Sequence, residues 1–234
     1  MKNLFLLFLT AISYQSSFSQ VKNNINVIIP NCGIESQWTS IKNNISEEYK
    51  AIYQVKDYHE WDNFIIENFN PKKSTIPKFL IKGLNTNSLS STTGKWVNRM
   101  FFPGETMLLT IYNQEDKNDH SSFYIYASGT VVKKKNNKFP FIEKIENYEL
   151  KVTNTTSNMS QTIMNIKNIP SWSAGGYEGG LFIYWIGDLN GDNKIDMLIG
   201  YSNHYAATET LLFLSNKNGK KLFNKYSVGG CSLD

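Results

Sequence analysis

From about residue 100 onward, short apolar and aromatic runs alternate with clusters of Asn, Asp, Ser, Lys and Gly. Thr106–Tyr112, Ser122–Tyr126 leading toward Val131-Val132, Tyr148–Val152 and Gln161–Ile166 read as strands. Pro103-Gly104, Asn113–Asp119 and the charged stretch Lys133–Lys138 read as the turns around them. The last segment is the most regular. Leu181–Gly187, Met197–Tyr201, Thr210–Ser215 and Leu222–Val228 predict four consecutive antiparallel strands, a meander over 181–228. Its first connection is the acidic run Asp188–Asp196, and Lys217–Lys220 is a hairpin turn. Tyr184 and Trp185, being adjacent, are expected on opposite faces of one strand.

The N-terminal part is more mixed. Trp61, Phe64, Ile65 and Phe69 fall at helical spacing, with Glu60 and Asp62 in the first turn and Asn70-Pro71 as a stop. That predicts a short helix. Ile45–Tyr53 reads as a second short helix or an irregular strand. Within the polar stretch 71–98, Leu80-Ile81 marks a short strand, and Ser88–Thr93 before Gly94 reads as an exposed loop. The expected fold class is mostly β, an antiparallel sandwich or propeller-like meander with one or two short N-terminal helices. No repeat period is visible, which argues against a multi-blade propeller within the chain.

Composition adds compartment and size. Met1-Lys2-Asn3, an apolar run from Leu4 and the small-x-small group Ser17-Phe18-Ser19 read as a signal peptide over 1–19. That implies a secreted or periplasmic protein, with residues 20–234 as a single β-rich domain. No run approaches the about 18 apolar residues of a transmembrane helix. The net charge of +4 is spread over scattered lysines, so nucleic acid is not an expected partner. The two cysteines, Cys32 and Cys231, lie near opposite ends of the mature chain. An oxidising compartment permits their pairing, and two unpaired buried thiols are the alternative.

The acidic run is the stretch with the most chemical content. Asp188-Leu189-Asn190-Gly191-Asp192-Asn193-Lys194-Ile195-Asp196 puts side-chain oxygens at the first, third, fifth and ninth positions. Calcium takes six to eight hard oxygen ligands in flexible geometry, and alternate positions of a tight loop can converge on one point. The expected ligands are Asp188, Asn190 and Asp192, the main-chain carbonyl of Lys194 at the seventh position, and Asp196 to close the shell. Gly191 permits the bend, and Asn193 suits a left-handed conformation. Three carboxylates bring a charge of about −3 against +2, so the metal-free loop should repel itself. The bland alternative is an acidic hairpin turn, since Asp, Asn and Gly are ordinary turn residues.

With Gly187 before it and Met197-Leu198-Ile199 after it, this loop resembles the calcium loop of FG-GAP (integrin α-type) repeats, which joins adjacent strands of a blade. The resemblance covers about residues 181–231 and a single copy. It implies a calcium loop between strands, and it does not extend to the adhesive function that several repeats support in a closed propeller. The tail from Tyr201 to Cys231 is similar to secreted bacterial proteins carrying one such loop. An EF-hand or dockerin site is a poorer match, because the twelfth position is Ile199 and the flanks read as strands.

Other candidates are weaker. Ser173 in Ser171-Trp172-Ser173-Ala174-Gly175 lacks the helix that a nucleophile elbow needs, since Gly175–Gly180 is glycine-rich. His59-Glu60 lacks a second His one turn on. His204 and Glu209 follow the second strand of the meander and could line a pocket. Trp38, Trp61, Trp96, Trp172 and Trp185 suit either a core or a sugar-stacking surface. Two functional expectations follow. The first is a calcium-binding, non-enzymatic binding or surface-associated module, with an extracellular glycan or protein as partner. The second is a calcium-stabilised hydrolase of a glycan or other polymer, using acids such as Glu178 or Glu209.

Overall fold

The computed structural model describes residues 25–30, 42–45, 48–55, 62–84, 91–112, 120–133, 142–170, 180–192, 194–204, 207–216 and 219–232. The signal-peptide reading, Cys32, His59, Trp38, Trp61, Trp172, Ser173 and Glu178 lie outside them, as do the turns at 113–119 and 134–138. Among the described residues the elements are thirteen strands. The N-terminal part supplies β1 (Asn26–Ile28), β2 (Lys50–Val55), β3 (Asp62–Asn68), β4 (Phe79–Lys82) and β5 (Ser91–Met100). The middle supplies β6 (Thr106–Tyr112), β7 (His120–Lys133), β8 (Ile142–Asn154) and β9 (Met159–Pro170). The last segment supplies β10 (Gly180–Gly187), β11 (Asp196–His204), β12 (Ala207–Ser215) and β13 (Phe223–Ser232). The protein is mostly β, as its alternating pattern predicts.

Among the described residues all pairings are antiparallel and fall into two sheets. One has the order β6-β7-β8-β9, and the other runs β1-β4-β2-β3-β5-β10-β11-β12-β13. The expected meander of the last four strands is present, and β5 joins it to the N-terminal strands by pairing with both β3 and β10. The edge strands β1 and β13 of the larger sheet lie against each other. Their approach is close enough that a Cβ on Gly229 would sit 2.7 Å from the Val27 carbonyl oxygen. A sheet whose two edges touch must curl round on itself, and accumulated strand twist makes such curling natural.

The curl creates two apolar interiors. Inside it, Val27, Ile52, Phe64, Phe79, Ile81 and Trp185 cluster with Leu198, Leu212 and Val228. On the other face of the meander, Ile183, Met197, Ile199, Leu211 and Phe213 pack with Phe123, Ile125, Tyr148 and Leu150 of the four-stranded sheet. Successive residues of a strand point to opposite faces. Met197-Leu198-Ile199 and Leu211-Leu212-Phe213 are therefore unbroken apolar runs because each face meets its own core. Each such side chain contributes about 1.5–3 kcal/mol on burial. A third cluster, Tyr49, Ala51, Tyr53, Phe69 and Leu80, covers the outer side of the N-terminal strands.

Two local expectations are corrected and a third, left between two alternatives, is resolved. The helix expected over Trp61–Phe69 is β3: Phe64 and Ile66 are buried while Ile65 between them is 43% exposed, an alternation of period two. Phe64, Ile65 and Phe69 satisfy a helical stripe on paper, but β2 and β5 flank this segment and take up its backbone hydrogen bonds. The alternative readings of Ile45–Tyr53 resolve to strand β2 from Lys50 onward. Ser91–Thr93, expected in an exposed loop, begins β5 and pairs with Ile65, Phe64 and Asn63.

Tyr184 and Trp185 also differ from expectation. A register shift between Ile183 and Trp185, seen against both neighbouring strands, marks a β-bulge. Both rings turn toward the same inner cluster, Trp185 fully buried and Tyr184 partly so. Two glycines make the space. A Cβ on Gly94 would meet the Trp185 ring at 2.6 Å, and one on Gly200 would meet Tyr184 at 2.5 Å.

Candidate metal centre

The acidic run forms the connection between β10 and β11, with Gly187 paired to Asp196 at its base. Its two apolar residues fix it to the body of the protein: Leu189 is buried in the inner cluster and Ile195 in the cluster shared between the sheets. Gly191 at φ 73° takes the left-handed conformation that the bend requires. Asn193, expected in a similar conformation, lies outside the described residues.

The side-chain oxygens organise the loop through backbone amides. Asp188 Oδ1 accepts from the N–H groups of Gly191 at 2.8 Å and Asp192 at 3.1 Å. Asn190 Oδ1 accepts from Asp192 N at 3.0 Å, and Asp192 Oδ1 accepts from Lys194 N at 3.1 Å. Asp196 is fully buried, with Oδ2 accepting from Leu189 N at 2.7 Å and Oδ1 from Ser215 N at 2.7 Å. Its two oxygens thus tie the start of the loop to the end of β12.

Ser215 is a member of this centre that the loop's own sequence does not announce. Its hydroxyl donates to Asp192 Oδ2 at 2.7 Å and accepts from Asn190 Nδ2 at 3.0 Å. A signal was present in the meander itself. If the strand after the loop pairs with the next one, that strand's last residue arrives beside the loop. The pairing Met197↔Phe213 puts Ser215 there.

The electrostatics are one-sided. Burial pushes the Asp196 carboxyl well above the usual carboxylate range, and the charges of Asp188 and Asp192 push it the same way. The Ser215 and Leu189 amides pull partly back. The charges acting on this buried acid are therefore two more acids. The three carboxylates are not drawn into a closed cage: among the described residues, no group of three or more His, Cys, Asp or Glu side chains is arranged to hold a metal ion. Each oxygen of Asp192 and Asp196 accepts one of these hydrogen bonds and keeps a second lone pair, whereas Asp188 Oδ1 already accepts two. The set Asp188, Asn190, Asp192, the Lys194 carbonyl and Asp196, with Ser215 beside them, is made only of the hard oxygens that suit calcium.

The remaining candidates lie elsewhere. Glu209 is exposed on β12 and accepts from Ser227 Oγ at 2.9 Å. It stands six residues before Ser215, about 20 Å along the strand, and so is not an acid near the loop. His204, Trp96 and Cys231 belong to β11, β5 and β13. Trp185 is core. Exposed aromatic area among the described residues instead includes Tyr124 and Tyr126, which stand beside Leu108 and Thr106 on the outer face of the four-stranded sheet. Among the described residues no helix is long and apolar enough to cross a membrane. No family model, curated protein or solved structure matches this chain.

Proposed function

We infer that the chain is a secreted or periplasmic calcium-binding β-domain acting as a non-enzymatic binding or surface-associated module. In this reading the two sheets form a sandwich, and the ion locks the connection between β10 and β11. The observation that supports it most strongly is the fully buried Asp196, whose electrostatic neighbours are the acids Asp188 and Asp192. Burying a carboxylate without an opposite charge is costly, and a divalent cation would turn the same arrangement from repulsive to attractive. The ligands would be Asp188, Asn190, Asp192, the Lys194 carbonyl and Asp196, as in the FG-GAP-like pattern. Ser215 would orient Asp192 and Asp196 from outside the shell. The role of such an ion is structural: it joins the loop, β11 and the end of β12.

Calorimetric titration of chelator-treated protein is expected to show saturable calcium binding. No heat at millimolar calcium would overturn the reading. An extracellular glycan or protein is the expected partner class, and the competing reading is a calcium-stabilised hydrolase. Binding on a glycan array without turnover supports the module. Turnover of a polysaccharide or ester substrate would replace it with the hydrolase.

A further inference from the structure

A cleft of about 210 Å³ adjoins the metal loop at the end of the molecule where both sheets present their connections. Its floor is the end of the core between the sheets, formed by Phe123, Ile195 and Phe223, all buried. One wall is the β8–β9 turn with Asn154 and Met159, and the other is the β12–β13 turn with Lys221 and Leu222. Lys194 and Ser215 complete it, so the cleft shares two residues with the loop.

The walls are held by the chain's own hydrogen bonds. Asn154 Oδ1 accepts from Thr156 N and Ser157 N, both at 2.9 Å, and Asn158 closes that turn at φ 54°. Across the cleft, Asn216 N donates to the Leu222 carbonyl at 2.8 Å. Gln161 fixes the floor to the other sheet: its amide donates to the Phe223 carbonyl at 3.3 Å and accepts from Phe223 N at 2.9 Å. These bonds fix the described residues of both walls and the floor, and preorganisation favours binding.

Its chemistry has a sign. The two ionisable residues of its described lining are Lys194 and Lys221, and the nearby loop carboxylate of Asp192 is engaged by the hydroxyl of the lining residue Ser215 at 2.7 Å. We propose that this cleft binds a small amphiphilic anion, a single carboxylate or phosphate on a short apolar body. The apolar part lies on Phe123, Ile195 and Phe223, and the charge meets Lys194 and Lys221. The volume falls below the about 300–1,000 Å³ of pockets for drug-sized ligands, which restricts the occupant to a small molecule or one end of a larger one. This deepens the reading of the chain as a binding module by giving that module a site and a ligand class.

The test titrates the whole mature protein with hexanoate, butyl phosphate and the neutral control hexanol, following backbone amide shifts in calcium and again after chelation. Hexanoate or butyl phosphate is expected to shift amides of the two turns, and the comparison between them identifies the preferred anionic group. Hexanol is expected to bind at least about tenfold more weakly, and added salt to weaken the anions. Lys221→Gln is expected to reduce anion affinity about threefold and Lys221→Glu about tenfold, with the fold intact because Lys221 is exposed. Equal binding of hexanol and hexanoate, or no shift with either anion, overturns the proposal. Anion binding in a protein that calcium neither binds nor stabilises would overturn the calcium reading and leave this one standing. Calcium stabilisation without anion binding does the reverse.

Discussion

Two connections at the same end of the molecule do the same backbone work with different chemistry. In the β8–β9 turn, Asn154 Oδ1 accepts two successive amides, those of Thr156 and Ser157. In the β10–β11 loop, Asp188 Oδ1 accepts two successive amides, those of Gly191 and Asp192. Each has a residue with positive φ, Asn158 in one and Gly191 in the other. The first turn is built with a neutral side chain in an exposed setting. The second uses three carboxylates, one of them fully buried. Turn geometry alone therefore does not account for the acids, because the neighbouring turn obtains its geometry without charge. The calcium reading is a proposal for what that excess charge serves.

The sharpest way to separate the two connections is to remove their acceptors. Asp196→Ala leaves the amides of Leu189 and Ser215 without their acceptor in a buried place, and an orphaned buried group costs about 1–3 kcal/mol. Relief of the buried charge offsets part of this, so urea unfolding of the metal-free protein should show a loss of about 2–4 kcal/mol. A loss below about 0.5 kcal/mol would make the loop as replaceable as an ordinary turn.

Calcium should act on one connection and not the other. At one hundred times its Kd, the ion is expected to stabilise the wild type by about 2.7 kcal/mol, read as a rise in Tm. Asn154→Ala should keep that increment and Asp196→Ala should lose it. Equal increments in both variants would place the ion elsewhere.

Acid should separate them by sign. The folded-state pKa of Asp196 is raised, so the folded protein holds this proton more readily than the unfolded chain does. Without metal, lowering the pH from neutral through that raised range should stabilise wild type relative to Asp196→Asn, which cannot titrate there. With calcium bound, protons compete with the ion and the same acidification should destabilise wild type relative to the variant. Thermal melts across pH, with and without chelator, check both directions. The smallest effect belongs to the exposed turn: Asn154→Ala should cost only about 0.5 kcal/mol in urea unfolding, because water can replace its acceptor.

The meander was legible because its residues have little freedom. Strands buried on both faces read as Met197-Leu198-Ile199 and Leu211-Leu212-Phe213-Leu214, and the loop between the first two strands could hardly be mistaken. The N-terminal strands were harder to read. Phe64, Ile65 and Phe69 fit a helical stripe, and only the neighbours β2 and β5 decide for a strand. Ser91–Thr93 shows the same dependence on tertiary pairing, since its polar residues resemble a loop until β3 lies beside them. In the candidate site, the alternation of oxygen-bearing side chains from Asp188 to Asp196 was local and visible. Ser215 and the cleft were not, because each depends on segments far apart in sequence meeting at one end of the sheets.

The contact between β1 and β13 sets a condition on how the chain reaches its final form. The first described strand leans on the last one, and the inner cluster draws Val27 from one and Val228 from the other. Val27 is made about two hundred residues before Val228, so the curled sheet cannot close until β13 has emerged. Until β13 emerges, each interior lacks one of its buried members, Phe223 in the one between the sheets and Val228 in the inner one, and long-range pairing of this kind is slow and prone to association. Shortening the chain at its C-terminus should therefore expose two apolar interiors at once rather than trim a single edge.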